Sequence, residues 1–174
     1  MKRLKLHELG RLSDEAFKET PKTELVVVLD NIRSMHNVGS VFRTSDAFLA
    51  KKMILCGITA TPPHRDIMKT AIGAQNTVDW EYEEETATAL KKLKAEGYSI
   101  IALEQTDASV LMQDFEWPKK TALILGNEVD GVCDEALALT DTAIEIPQLG
   151  TKHSLNVSVS AGMAIWEYAK KHSL

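Results

Sequence analysis

The 174-residue sequence holds only two cysteines, Cys56 and Cys133, far apart and without CxxC or Cys/His ligand spacing. That excludes a disulfide framework and a zinc site and leaves two reduced thiols. No apolar run is long enough to cross a bilayer, and the start "MKRLKLHELGRLSDEAF" lacks the continuous apolar core of a secretory signal. A soluble, cytoplasmic protein with no membrane partner is therefore expected. No GxGxxG follows the first apolar run and no GxSxG appears anywhere, which removes the case for a Rossmann dinucleotide site and the usual case for a serine hydrolase. His36, His64 and His153 lack helical metal spacing, so no metal is expected. A positive excess is missing too: 25 Asp and Glu stand against 20 Lys and Arg, which argues against a uniform field that coats nucleic acid. A local patch stays open, since Lys2, Arg3, Lys5 and Arg11 face one acid, Glu8; such an end fits a solvated tail or phosphate contact.

Short apolar runs and helical segments alternate along the chain. "ELVVVLD" (Glu24 to Asp30), "KKMILCGI" (Lys51 to Ile58), "YSIIALE" (Tyr98 to Glu104), "TALILGNE" (Thr121 to Glu128) and "TAIEIP" (Thr142 to Pro147) read as strands, several of them apolar throughout, as strands covered on both faces are. A sixth, weaker strand lies near "NTVDWEY". "EEETATALKKLKAEG" reads as a helix with Ala87, Leu90 and Leu93 on one face and Gly97 at its stop, and "DEALAL" as a shorter one with Asp134 as cap. The class is α/β with a mainly parallel sheet flanked by helices, in one domain. Ligands of such sheets bind beyond the carboxyl ends of the strands, which directs attention to the loops after Asp30, Leu103, Leu125 and Ile146.

Three polar segments fall there. In "NIRSMHNVGSVFRTSDAF" a helix from about Val38 puts Val38, Val41, Phe42, Ser45 and Leu49 on one stripe with Asn37 as N-cap, and places Arg43 roughly 140° away from the stripe. That arginine is either an ordinary surface residue or an anion-facing group beside a helix N-terminus. "LILGNEVDG" ends a strand with Gly126, Asn127 and Glu128; Val132 stands where a phosphate loop needs lysine, so the glycines serve either a plain turn or close approach of backbone to a ligand. "IPQLGTKHSLNVSVSAGMAIWEY" carries Leu155, Val159, Gly162, Met163 and Trp166 at helical spacing, with Ser154 as cap and Ser158 and Gly162 forming a small-residue face.

Together and in this order, "NVGSVFRTSDAF", "LILGNEVDGV" and "IPQLGTKHSLNVSVSAGMAIWEY" resemble the three motifs of the SpoU/TrmH family of SPOUT RNA methyltransferases, and "TPPHRDIMKTAIGAQNTV" resembles the segment between its second and third strands. The resemblance implies a SPOUT fold with a C-terminal trefoil knot over residues 21–174, preceded by an N-terminal extension over 1–20 with a possible role in RNA contact. It implies transfer of a methyl group from S-adenosylmethionine to a ribose 2′-hydroxyl of tRNA or rRNA by a homodimer. Residue by residue, it implies that Arg43, Asn37, Glu128, Ser154 and Asn156 carry the chemistry, and that backbone around Leu103, Gly126, Asn127, Ile146 and Leu155 holds the cofactor. Leu49 and Cys133 depart from the pattern, standing where glycine and a small capping residue are common. Asn31, Arg33 and His36 receive no role.

Arginine is a poor general base, which favours a guanidinium that stabilises the developing alkoxide; the family proposal of a transiently deprotonated arginine is the other option. Two rival classes stand beside this reading: a non-catalytic RNA-binding protein that retains the SPOUT fold, and a small-molecule α/β enzyme suggested by the acidic balance.

Overall fold

Alternate residues of the first strand, β1 (Leu25–Asp30), enter two different cores. Leu25, Val27 and Leu29 join one, Val26 and Val28 the other, and all are buried. This is why the strand is apolar throughout instead of alternating. The computed structural model, which describes residues 1–173, continues the chain through α2 (Met35–Ala47), β2 (Lys52–Cys56), α3 (Arg65–Ala71), α4 (Ala74–Thr77), β3 (Trp80–Glu83), α5 (Thr86–Ala95) and β4 (Ser99–Leu103). There follow β5 (Val110–Leu111), β6 (Thr121–Leu125), α6 (Asp134–Leu137), β7 (Thr142–Glu145) and α7 (Val157–His172), and a short α1 (Asp14–Glu19) precedes β1. Seven strands form one sheet in the order β3-β2-β1-β6-β4-β7-β5, with every pairing parallel.

One face of the sheet packs against α2, α3 and α7 through Val38, Val41, Phe42, Ile67, Ile165 and Tyr168. The other packs against α5 and α6 through Ala89, Leu90, Leu93 and Ala136. Phe17 of α1 is also buried in the first core. Because the strands run parallel, the carboxyl ends of β1, β4, β6 and β7 lie at one edge, with Leu29 and Leu103 both in register with Leu125. The weak strand near "NTVDWEY" is β3, an edge strand of exposed and half-buried residues, which explains its faint apolar pattern. Among the described residues no helix is long and apolar enough to cross a membrane.

Four local expectations are corrected. The N-cap of α2 is Ser34, whose Oγ accepts the Asn37 N–H at 3.3 Å, so Asn37 lies within the first helical turn. Asn156, not Ser154, caps α7, its Oδ1 accepting the Ser158 N–H at 2.9 Å. Cys133, not Asp134, occupies the N-cap of α6, and makes no cap bond through its side chain. The stripe expected to bury α7 faces outward: Val159, Met163 and Trp166 are 53%, 39% and 44% exposed, while Ala161, Ala164, Ile165 and Tyr168 enter the core. Leu49 adopts φ 53, the left-handed conformation that glycine takes without steric cost, two residues past the end of α2.

Candidate active site

Asp30 closes β1 as a fully buried carboxylate, which requires partners. Its Oδ2 accepts the Cys133 N–H at 2.7 Å and its Oδ1 accepts from Thr86 Oγ1 and from Asn31 Nδ2. The chain then turns through Asn31 at φ 56, a conformation asparagine tolerates better than most residues. Asn31 Oδ1 accepts the Ile58 N–H, and its carbonyl accepts Asn127 Nδ2 at 2.7 Å. Asn31 is thus a junction between β1, the loop after β2 and the loop after β6.

Glu128 brings the three sequence motifs together. Its carboxylate accepts the main-chain N–H groups of Arg33 at 2.8 Å and Ser34 at 3.0 Å, just before α2, and Asn37 Nδ2 at 2.8 Å. Asn37 Oδ1 in turn accepts Asn156 Nδ2 at 3.2 Å, and Asn156 caps α7. A carboxylate at a helix N-terminus is favoured by the free N–H groups and the helix dipole. Burial pushes the Glu128 carboxyl upward, but the hydrogen bonds from Arg33, Asn37 and Ser34 outweigh it and hold the group below the ordinary carboxylate range.

The linkage sign follows from that direction. With a folded pKa below the unfolded one, the stabilisation by Glu128 is complete above the unfolded value and disappears as pH falls through the folded value. Glu128→Gln is expected to lower stability at neutral pH by about 1–2 kcal/mol, a range already reduced for partial solvent screening. Urea melts at a series of pH values check this: the gap between the two proteins should shrink on acidification.

Glycine in the second motif serves its own loop. A Cβ on Gly126 would collide with Gly131 C and Val132 N, and Gly131 itself takes φ +73. Asn127 and Gly131 exchange main-chain hydrogen bonds of 2.9 and 3.0 Å across this turn, and Asn127 Oδ1 accepts the N–H groups of Val129 and Asp130. Close approach to a ligand is therefore not what requires Gly126. Two residues not singled out from the sequence join these loops: Glu104 Oε2 accepts the Val132 N–H at 3.0 Å, and Gln105 Nε2 donates to the His153 carbonyl, in the segment before α7, at 2.8 Å. Both follow β4 directly, at the same edge that marked the other loops.

A cavity of about 580 Å³ opens between these loops. Leu103, Gly126, Asn127, Ile146 and Leu155 line it, as do Glu128 and Ser154. Its charged side chains are acidic, namely Glu104, Glu128, Asp130, Asp134 and Glu145, and no lysine or arginine lines it. Asn37 and Asn156 reach it only through their bond to Glu128 and to each other. Arg43 is elsewhere. Six residues beyond Asn37 on α2, it is about 9 Å farther along the axis and turned by about 120°. It is exposed, joins no ion pair among the described residues, and lines a second cavity of about 480 Å³.

Other candidates have ordinary surroundings. His64 Nδ1 accepts the Asp66 N–H at the start of α3, the His36 imidazole lies 4.0 Å from Asp66, and the Arg33 side chain is exposed. Burial pushes the Cys56 thiol up to about 12 and the Cys133 thiol to about 11, so neither is a thiolate nucleophile at neutral pH. Among the described residues no three His, Cys, Asp or Glu side chains converge as a metal site would require.

Comparison with known proteins adds a family to this geometry. The model of the SpoU rRNA Methylase family matches residues 24–166. A 23S rRNA (guanosine-2′-O-)-methyltransferase, RlmB, of Neisseria meningitidis is 32% identical over 166 residues, covering 92% of this chain and 64% of that protein. A tRNA (guanosine(18)-2′-O)-methyltransferase of Thermus thermophilus is 33% identical over 144 residues, covering 83% of this chain and 73% of that protein. This chain therefore spans less than two thirds of the length of the first of these relatives. Among solved structures, an AdoMet-bound rRNA methyltransferase from Sinorhizobium meliloti superposes with a TM-score of 0.80 at 25% identity, over 88% of this chain and 59% of that one.

Proposed function

The chain belongs to the SpoU rRNA Methylase family, and from that premise we propose that it transfers a methyl group from S-adenosylmethionine to a ribose 2′-hydroxyl of tRNA or rRNA. The observation that carries this reading is the separation of charge around α2: an acidic cavity bordered by Glu128 and a second cavity that bears Arg43. S-adenosylmethionine carries a sulfonium and an ammonium against one carboxylate, and RNA carries a phosphate at every nucleotide, so the acidic cavity suits the cofactor and the basic one the substrate. The volume of the acidic cavity falls within the usual range for small ligands, and Leu103, Leu125, Ile146 and Leu155 give it an apolar part suited to adenine.

When bound, S-adenosylmethionine supplies an electrophilic methyl group. The chain's own residues orient the nucleophile and stabilise charge. Backbone around Leu103, Gly126, Ile146 and Leu155 holds the cofactor, and Asn127 keeps its loop closed. Arg43 stabilises the developing 2′-alkoxide through its guanidinium, while the hydroxyl proton passes to solvent. Glu128, Asn37 and Asn156 fix the start of α2 against the start of α7, and Ser154 lines the acidic cavity just before α7. The rates of such sites depend on geometry held to fractions of an ångström, which is what a continuous hydrogen-bond chain supplies.

The proposal includes a homodimer that completes the site. Two observations support it: Arg43 lies apart from the acidic cavity within one chain, and Val159, Met163 and Trp166 leave an exposed apolar stripe on α7 beside Phe48, the residue that follows α2. It also includes the trefoil knot near the C-terminus, the division into an extension over 1–20 and a methyltransferase domain over 21–174, and action in the cytoplasm. Mapping of 2′-O-methyl positions in total RNA from cells with and without the gene tests the activity. Loss of at least one position is expected; an unchanged map with turnover of a small metabolite would favour the small-molecule enzyme.

A further inference from the structure

The second cavity is bounded by Ser40, Arg43, Thr44, Phe48, Lys69 and Thr70, and its charged groups are both cations. Its hydroxyl protons are committed to main-chain carbonyls: Ser40 Oγ and Thr70 Oγ1 donate to His36 O, and Thr44 Oγ1 donates to Ser40 O. Arg43 and Lys69 are left as the side chains able to donate charge-assisted hydrogen bonds into the space.

Lys69 reaches this position because α3 lies unusually close to α2. A Cβ on Gly39 would meet both Ile67 O and Thr70 Oγ1, so only glycine at that point lets the two helices touch. The bond from Thr70 to the His36 carbonyl then fixes the turn that carries Lys69. Lys69 Nζ is paired with Asp66 Oδ1 at 2.7 Å, with side chains 50% and 36% exposed, and exposed pairs of this kind contribute little and exchange readily.

We propose that this cavity is a phosphate subsite for RNA, in which Lys69 leaves Asp66 to hold a backbone phosphate next to the ribose served by Arg43. The inference rests on the methyltransferase reading and deepens it. Arg43 cannot devote its guanidinium to the 2′-oxygen and also neutralise the neighbouring phosphate at full strength, and Lys69 is the second cation lining the same space. Because a phosphate contact carries no base information, Lys69 contributes to affinity for tRNA and rRNA alike.

The test measures binding of unfractionated tRNA and of total rRNA over a series of salt concentrations, beside calorimetric titration with S-adenosylmethionine, for the wild-type protein, Lys69→Gln, Lys69→Arg and Asp66→Asn. Lys69→Gln should bind RNA roughly five- to tenfold more weakly, with a slope of log affinity against log salt shallower by about 0.7 to 0.9, the signature of one lost phosphate contact. Lys69→Arg should remain near wild type. Asp66→Asn should bind about two- to threefold more tightly, since it removes the competing anion. Cofactor affinity should be the same in all four, which also shows that each is folded. An unchanged affinity and slope in Lys69→Gln, or an equal loss in Lys69→Arg, would overturn the subsite while leaving the methyltransferase reading intact. Failure of the wild-type protein to bind either RNA or S-adenosylmethionine would instead overturn the reading itself.

Discussion

Arg43→Ala is expected to reduce methyl transfer to background, a loss on the order of 10²–10³-fold or more, while affinity for S-adenosylmethionine should stay within a few-fold. The expectation follows from where Arg43 is and what it is not attached to. It lines the basic cavity and not the acidic one, so its removal leaves the cavity proposed for the cofactor intact. It is exposed on a helix anchored by Val38, Val41, Phe42 and Ser45, so its removal leaves the fold intact as well. Arg43→Lys should recover only a small part of the rate, because an ammonium offers a point charge where the planar guanidinium can address two oxygens at once. Labelled-methyl incorporation beside cofactor calorimetry measures both quantities. Full activity in Arg43→Ala would remove this residue from the mechanism.

Gly126→Ala is expected to weaken cofactor binding and not catalysis alone. The added methyl group would collide with Gly131 C and Val132 N, which are main-chain atoms and cannot swing aside as a flexible side chain can. The turn from Gly126 to Val132 must open, and with it go the paired Asn127–Gly131 hydrogen bonds and the anchor of Val132 on Glu104. Overpacking of this kind costs about 1–3 kcal/mol in stability, and the opened turn removes one wall of the acidic cavity. A lowered melting temperature together with at least a roughly tenfold weaker cofactor Kd is the expected pair of results, the latter corresponding to about 1.4 kcal/mol. Wild-type cofactor affinity in Gly126→Ala would show that the turn tolerates the methyl group and that its closure does not shape the cavity.

What could be read from the sequence, and what could not, divides along the range of the forces involved. β1 and β6 were legible because burial on both faces leaves a continuous apolar run, and α5 because one apolar face, basic residues in its last turn and Gly97 mark a helix locally. The loops that carry the site were legible as polar sequence directly after apolar strands. The helix caps were not. Ser34 and Asn37 are both good cap residues three positions apart, and the choice between them is made by Glu128, more than ninety residues away, which takes the N–H groups of Arg33 and Ser34. The orientation of α7 was hidden for a different reason. It carries two apolar stripes, and periodicity does not say which one the sheet takes; Ala161, Ala164, Ile165 and Tyr168 go inward, and Val159, Met163 and Trp166 stay outside.

Asn31 and Gly39 illustrate the same limit. Asn31 receives no role from the sequence, yet its backbone conformation and four hydrogen bonds make it the corner on which the loops after β1, β2 and β6 meet. Gly39 attracted no notice inside a helical segment, and its importance appears only when α3 is seen against it. The resemblance to SpoU/TrmH motifs supplied the identities of Arg43, Glu128 and Asn156 together. The hydrogen-bond chain from Glu128 through Asn37 to Asn156 gives the physical reason why three separated stretches act as one unit.

The central claim is methylation of a ribose hydroxyl, and alkaline hydrolysis tests it most directly. Base cleaves RNA because the 2′-oxygen attacks the adjacent phosphorus, so a methyl group on that oxygen protects the following linkage. RNA labelled by the purified protein and S-adenosylmethionine is predicted to release its label in alkali-resistant dinucleotides, and the Arg43→Ala protein to release none. Label recovered in mononucleotides would place the methyl group on a base and contradict the account.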